Sequence, residues 1–150
     1  YAAREASLKG YDQVLWLDAK EKKYVEEVGS MNMLFLYDDK IITSPLKGTV
    51  LDGITRRSAL QLLTDMGYQI EERALTVDEV MEGAENGRLK EAFGTGTAVV
   101  ISPVGSFCYQ DRCVQLGNGE PGELTMKLYN QLTAIQYGRQ ADKYGWVTTI

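Results

Sequence analysis

The order in which hydrophobic periods follow one another limits the fold of this chain more than any other feature. From Gln13 to Thr43 short extended-type runs succeed each other: Gln13 to Asp18, Tyr24 to Val28, Met31 to Tyr37 and Lys40 to Thr43. They are broken by the charged stretch Lys20 to Lys23, by Gly29 and by the turn pair Asp38-Asp39. At Ile54 the period changes. Ala59, Leu62, Leu63 and Met66 recur at helical spacing and Gly67 stands where a C-terminal cap belongs, which predicts a helix from Thr55 to Met66. Tyr68 to Leu75 reads as a strand again, and Thr76-Val77-Asp78-Glu79 has the capping-box form that opens a second helix ending near Gly87. Lys90 to Phe93 and Thr97 to Ile101 read as strands on either side of a turn at Gly94-Thr95-Gly96. Val104 to Leu116 reads as a hairpin turning at Gln110-Asp111. After Pro121 a last helix presents Leu124, Leu128, Leu132 and Ile135 as one apolar stripe to a core. This succession lacks a regular strand–helix alternation, so it predicts an α+β or mixed α/β domain in which helices surround an irregular mixed sheet.

The length of 150 residues and the 44% hydrophobic content suffice for one domain with a continuous core. The net charge is −5, with lysines and arginines scattered among glutamates, so no basic stripe is available to follow a nucleic-acid backbone. No apolar run approaches the roughly 20 residues that span a bilayer, and the first residues lack a signal-peptide plan, so a soluble, cytoplasmic protein without membrane contact is expected. The first residues, Tyr1-Ala2-Ala3-Arg4-Glu5, read as the inside of a helix ending at Gly10, which leads to the expectation that the natural start lies upstream. There is no histidine, which removes the commonest general base and the usual zinc ligand together; no metal site is expected. The only cysteines, Cys108 and Cys113, have neither redox-pair nor zinc-site spacing. A two-residue turn at Gln110-Asp111 would set them opposite each other within disulfide reach, yet free thiols are expected in a reducing cytosol.

Three stretches carry possible chemistry. Glu26-Glu27-Val28-Gly29-Ser30-Met31-Asn32 sets a carboxylate and a hydroxyl beside an apolar strand. A carboxylate there can face a buried cation, although on spacing alone a solvated strand-end pair of glutamates is the plainer reading. Val50-Leu51-Asp52-Gly53-Ile54-Thr55-Arg56-Arg57 feeds a glycine loop into a helix, whose leading N–H groups make an anion site; an ordinary glycine turn is the plainer alternative. The arginines Arg56 and Arg57 are expected to pair with carboxylates rather than with a ligand. Gly94-Thr95-Gly96-Thr97-Ala98 offers backbone amides and hydroxyls at short range, or is a tight structural turn. It is not a Walker A loop, since no lysine follows the glycines.

Taken in order, these stretches resemble the branched-chain amino acid aminotransferases, members of the fold-type IV pyridoxal-phosphate enzymes. The likeness runs from Gln13-Val14-Leu15-Trp16-Leu17 through Glu27-Val28-Gly29-Ser30-Met31-Asn32, Pro45-Leu46, Leu51-Asp52-Gly53-Ile54-Thr55-Arg56 and Phe93-Gly94-Thr95-Gly96-Thr97-Ala98 to Ile135-Gln136-Tyr137-Gly138. The resemblance implies the pseudo-barrel of the large, C-terminal domain of that fold, incomplete on its N-terminal side. It implies pyridoxal 5′-phosphate as cofactor, branched-chain amino acids and 2-oxo acids as substrates, and a homodimer. Glu27 would pair with the pyridine nitrogen and Leu51 would pack on the ring. Gly53, the amides of Ile54 and Thr55 and the hydroxyl of Thr97 would hold the phosphate. Thr97 and Ala98 would receive the substrate carboxylate, beside Ser30, which stands where the family often has threonine. The cysteine pair of mammalian members is replaced by Val99 and Ser102, so that redox switch is not expected.

Tyr1 looks like the end of the family's K-x-x-x-x-Y pattern, and the resemblance implies that it is a cofactor-binding residue. The Schiff-base lysine, the small N-terminal domain and a phosphate-binding arginine are therefore expected before residue 1. No lysine from Lys9 to Lys143 occupies the matching position, so these residues by themselves are expected to be inactive. Within the same fold a D-amino acid aminotransferase or an aminodeoxychorismate lyase is the alternative. A non-catalytic binding or assembly module is the alternative of another class.

Overall fold

The computed structural model describes all 150 residues. The chain runs α1 (Ala2–Leu8), β1 (Leu15–Leu17), β2 (Val25–Val28), β3 (Met31–Tyr37), β4 (Lys40–Thr43), α2 (Ile54–Asp65), β5 (Gln69–Glu72), α3 (Val77–Asn86), β6 (Leu89–Thr95), β7 (Ile101–Pro103), β8 (Ser106–Tyr109), β9 (Arg112–Gln115) and α4 (Glu123–Gln136). Strands β1 to β7 form one seven-stranded sheet, and β8 with β9 forms a separate hairpin. The expectation of a mixed α/β domain is met.

Strand β3 is the hub. Its first residues pair with β2 through Met31 and Asn32, and Leu34 to Tyr37 then pair with β4. Along its other edge β6 runs antiparallel, setting Asn32 opposite Thr95 and Phe35 opposite Ala92. The only parallel pair is β4 with β5, joined by the crossover helix α2. Because successive strand residues point to opposite faces, β3 feeds two cores. Met33 and Phe35 pack with Val80 and Met81 of α3 and with Phe107 of the hairpin. Leu34 and Leu36 pack with Leu62 and Leu63 of α2 and with Leu128 and Leu132 of α4. The predicted α4 stripe is buried throughout: Leu124, Leu128, Leu132 and Ile135 all lie in this second core.

The helix ends follow local chemistry. In α3 the Thr76 hydroxyl accepts the Glu79 N–H while the Glu79 carboxylate accepts the Thr76 N–H, and Gly87 closes the helix with φ +79°. Helix α4 has no side-chain cap of its own residues. Its first amides, from Leu124 and Thr125, donate instead to Glu91 of β6 at 3.1 and 2.8 Å, a tie between helix and sheet that no local pattern announces. The two arginines of α2 pair as expected: Arg56 reaches Glu72 at 2.6 Å from a fully buried position, and Arg57 reaches Asp52 at 3.3 Å on the surface.

Two expectations fail. The strand read at Thr97 to Ile101 is absent: β6 continues through Gly94 to Thr95, and the chain turns only at residues 97–100. Gly94 serves close packing, not a turn, since a β-carbon there would lie 3.1 Å from Val28 Cγ1 and 3.2 Å from Met31 Cβ. The thiols of Cys108 and Cys113 are not free but joined in a disulfide. The hairpin has the predicted register, Tyr109 opposite Arg112 and Cys108 opposite Cys113. The two Cα atoms are thereby 4.1 Å apart, and this proximity prevailed over the argument from redox compartment.

Ahead of β2, the Asp18 carboxylate accepts the N–H groups of Glu21, Lys23 and Tyr24, which holds its pKa at about 2 against the ordinary 3.8. Asp18 therefore stabilises the fold fully above its unfolded pKa, and the contribution disappears as pH falls through about 2. Asp18→Asn is expected to lower stability at neutral pH and to flatten the acid limb between about pH 4 and pH 2. Denaturant unfolding measured across that range checks both effects. For the hairpin, thiol titration of denatured protein is expected to find no reactive thiol before reduction and both cysteines after it. A free pair before reduction would contradict the bond.

Candidate functional site

The stretches singled out in the sequence meet where the ends of β2, β3 and β6 face the first turn of α2. Glu27 and Asn32 are paired across β2 and β3, and Asn32 and Thr95 across β3 and β6, so all three side chains sit on the sheet face that α2 covers. Glu27 Oε1 accepts the Leu51 N–H at 3.0 Å and the Asn32 Nδ2 at 3.3 Å. Its other oxygen, Oε2, takes part in no hydrogen bond within the chain. Asn32 Nδ2 also donates to the Leu51 carbonyl at 2.8 Å, so strand and loop are bonded on both sides of Leu51. The Leu51 side chain remains 69% exposed beside the carboxylate, and Ile54 in the next turn is 77% exposed. Together they present an apolar surface large enough to meet a planar ring.

Helix α2 starts after Gly53, which has extended geometry and gives no side-chain cap. The first turn contains no acidic residue, and Asp52 just before it is engaged by Arg57. The leading amides and the positive end of the helix dipole are therefore open to an external anion. Gly53 is required there by contact: a β-carbon would run into Asn32 Oδ1. The Thr55 hydroxyl donates to the Gly96 carbonyl at 3.2 Å, bringing the turn at residues 97–100 against the head of the helix. Thr97 and Ala98, which follow Gly96, are exposed in that turn. Ser30 is exposed in the β2–β3 turn, which Trp16 Nε1 fixes from outside by donating to the Gly29 carbonyl at 2.9 Å.

Glu27, Leu51, Gly53, Ile54 and Thr55 thus form one connected neighbourhood, with Thr97 and Ala98 on its border. Tyr1 does not join it; at 98% exposure it makes no packing contact. The residue missed in the sequence is Asn32. Its signal was legible, since it is the single polar residue in Met31-Asn32-Met33-Leu34-Phe35-Leu36, and a polar group buried in such a strand needs a partner. A separate concavity of about 800 Å³ opens on the other sheet face between Val14, Met31, Met81 and Phe107, and none of the site residues lines it. Chemically the neighbourhood pairs an anion-attracting helix head with a fixed carboxylate, separated by an apolar step. No group of residues fit to hold a metal ion accompanies it.

The comparisons with known proteins agree with one another. The amino-transferase class IV family matches residues 1–107. A probable branched-chain-amino-acid aminotransferase of Staphylococcus epidermidis is 52% identical over 145 residues, which are 97% of this chain and 40% of that protein. Branched-chain-amino-acid aminotransferase 2 of Bacillus subtilis is 51% identical over 149 residues, 99% of this chain and 41% of that protein. Among solved structures, the branched-chain amino acid aminotransferase of Escherichia coli superposes with a TM-score of 0.83 at 27% identity, covering 98% of this chain and 44% of that one. A second branched-chain amino acid aminotransferase, solved in complex with N-(5′-phosphopyridoxyl)-L-glutamate, gives 0.81 at 31% identity, covering 98% and 45%. The chain spans about 40% of the length of the curated relatives it matches. By the extent of the family match and the agreement of fold, this chain belongs to the class IV aminotransferases.

Proposed function

We propose that the protein carrying this chain is a pyridoxal-phosphate-dependent aminotransferase that moves the amino group of leucine, isoleucine or valine to 2-oxoglutarate, as a homodimer in the cytoplasm. The observation behind this reading is the bonded unit of Glu27, Asn32, Leu51 and the uncapped head of α2. Its donor set fits the cofactor at both ends: open helix amides suit a phosphate, and a carboxylate with one unengaged oxygen suits a protonated ring nitrogen. Names of relatives at about 50% identity supply the substrate class. No helix is long and apolar enough to cross a membrane.

In this reading the present residues form most of the C-terminal, cofactor-binding domain. None of the lysines present lies in this neighbourhood, so a lysine that would anchor the cofactor is sought in the remainder of the relatives' length, of which these residues span about 40%. When bound, pyridoxal phosphate supplies an electron-withdrawing ring for cleavage of the Cα–H bond. Glu27 keeps a proton on the ring nitrogen, because its fixed negative charge favours the charged form of its neighbour. Ile54, Thr55 and Thr97 would hold the phosphate, Gly53 would let it approach the backbone, and the exposed Leu51 side chain would pack on the ring and exclude water from it. Ser30, Thr97 and Ala98, exposed in their turns, would receive the substrate carboxylate.

The test is a substrate screen on the full-length protein with its cofactor. L-Leucine, L-isoleucine and L-valine with 2-oxoglutarate are expected to react. Activity confined to D-amino acids, or release of pyruvate from aminodeoxychorismate, would replace this reading by its neighbours in the fold. Glu27→Gln is expected to lower kcat roughly a hundredfold or more with KM little changed, since its contribution arises as charge develops. In contrast, the isolated 150-residue chain is expected to bind pyridoxal phosphate weakly and to show no turnover. An arginine contact to the phosphate from outside these residues would alone be worth about one to two orders of magnitude in affinity. A stoichiometric borohydride-stable adduct on one lysine of this chain, together with turnover, would show that the catalytic residue has been misplaced.

A further inference from the structure

Asn32 is held as few surface-proximal polar side chains are. It is 5% exposed, both hydrogens of its Nδ2 are engaged, and its Oδ1 rests against the Cα of Gly53. The orientation of the amide is fixed by its partners: Glu27 Oε1 and the Leu51 carbonyl are acceptors only, so the donor end must face them. Each bond spans a different gap. The bond to Glu27 crosses from β3 to β2, and the bond to Leu51 crosses from the sheet to the loop that enters α2. Leu51 N–H closes the ring of contacts by donating back to the same oxygen of Glu27. Asn32 thus ties the carboxylate to the helix head through one planar amide.

We propose that Asn32 is a positioning residue that couples the two ends of the cofactor site. It sets the direction of the free Glu27 oxygen and, through Leu51 and Gly53, the placement of the first amides of α2. The proposal rests on the reading of this neighbourhood as a pyridoxal-phosphate site. Geometry explains why one residue must do both tasks. A carboxylate with rotational freedom meets a ring nitrogen only part of the time, and a loop free to shift carries the phosphate site with it. A single amide, being planar and rigid, transmits a displacement of one end to the other. An apolar residue of the same size would fill the space but break both ties, leaving the Leu51 carbonyl bonded only within its own loop, to the Gly53 N–H at 3.0 Å.

The test uses the full-length protein, freed of cofactor and titrated with pyridoxal phosphate and with inorganic phosphate. It compares wild type, Asn32→Leu, Glu27→Gln and the double variant. If Asn32 acts through Glu27, Asn32→Leu weakens pyridoxal phosphate binding about tenfold in the wild-type background and much less in the Glu27→Gln background. Inorganic phosphate, which has no ring nitrogen, is expected to bind a few-fold more weakly to Asn32→Leu and unchanged to Glu27→Gln. Amide hydrogen exchange at Leu51 in the cofactor-free protein is expected to speed up in Asn32→Leu. Equal weakening in both backgrounds, or wild-type binding by Asn32→Leu, overturns the proposal. Should circular dichroism show that Asn32→Leu does not fold, Asn32→Ser replaces it, with the same outcomes required. If wild-type protein binds no pyridoxal phosphate, the cofactor reading itself fails. The brace then stands on Leu51 exchange alone: acceleration supports it and an unchanged rate overturns it.

Discussion

The fold depends on the double pairing of β3. One strand receives β2 and then β4 on one edge and β6 along the other, while its alternating residues supply both cores. A strand paired and covered on all sides has no tolerance for a register slip, because a shift by one residue would exchange Met33 and Phe35 with Leu34 and Leu36 between differently shaped cores. That rigidity continues to Asn32. The residue sits at the end of β3 where β2 is still paired on one side and β6 on the other, so its amide is aimed by the backbone of three strands.

The site is accordingly built from crossings between elements instead of from any one of them. Glu27 comes from β2, Asn32 from β3, Leu51 and Gly53 from the loop before α2, and Gly96 from the end of β6. The head of α2 illustrates what function costs the fold. A serine or aspartate at the Gly53 position would contribute roughly a few tenths of a kcal/mol to the helix over glycine. It would also collide with Asn32 and occupy the amides that an anion needs. By comparison, α3 has a complete capping box and α4 borrows Glu91 as its cap, so among the three long helices only α2, at the site, has an open head.

Much of this was readable from the chain alone, because it rests on local chemistry. Strand β2, the capping box at Thr76, the glycine after Asn86, the apolar stripe of α4 and the hairpin register at Cys108 and Cys113 follow from periods and turn residues within a few positions. Both Arg56 and Arg57 pair with carboxylates as read, and for the buried Arg56 the physical reason is the cost of leaving a buried charge unpaired. The extent of β6 was misjudged because Gly94 has the look of a turn residue, and only the neighbouring Val28 and Met31 side chains reveal that it is there for closeness.

What the sequence by itself determined is therefore most of the elements outside the β6–β7 region, their order, and the residue types able to meet an anion and a ring nitrogen. Their ordered succession also determined the resemblance to an aminotransferase family. Only the tertiary structure decided that β3 is the hub, that Glu91 caps a helix over thirty positions away, and that Asn32 ties Glu27 to Leu51. The physical reason is the range of the interactions. Periodicity and capping act within a turn or two of chain, whereas a hydrogen bond between distant strands depends on register and crossing geometry, which no local pattern records.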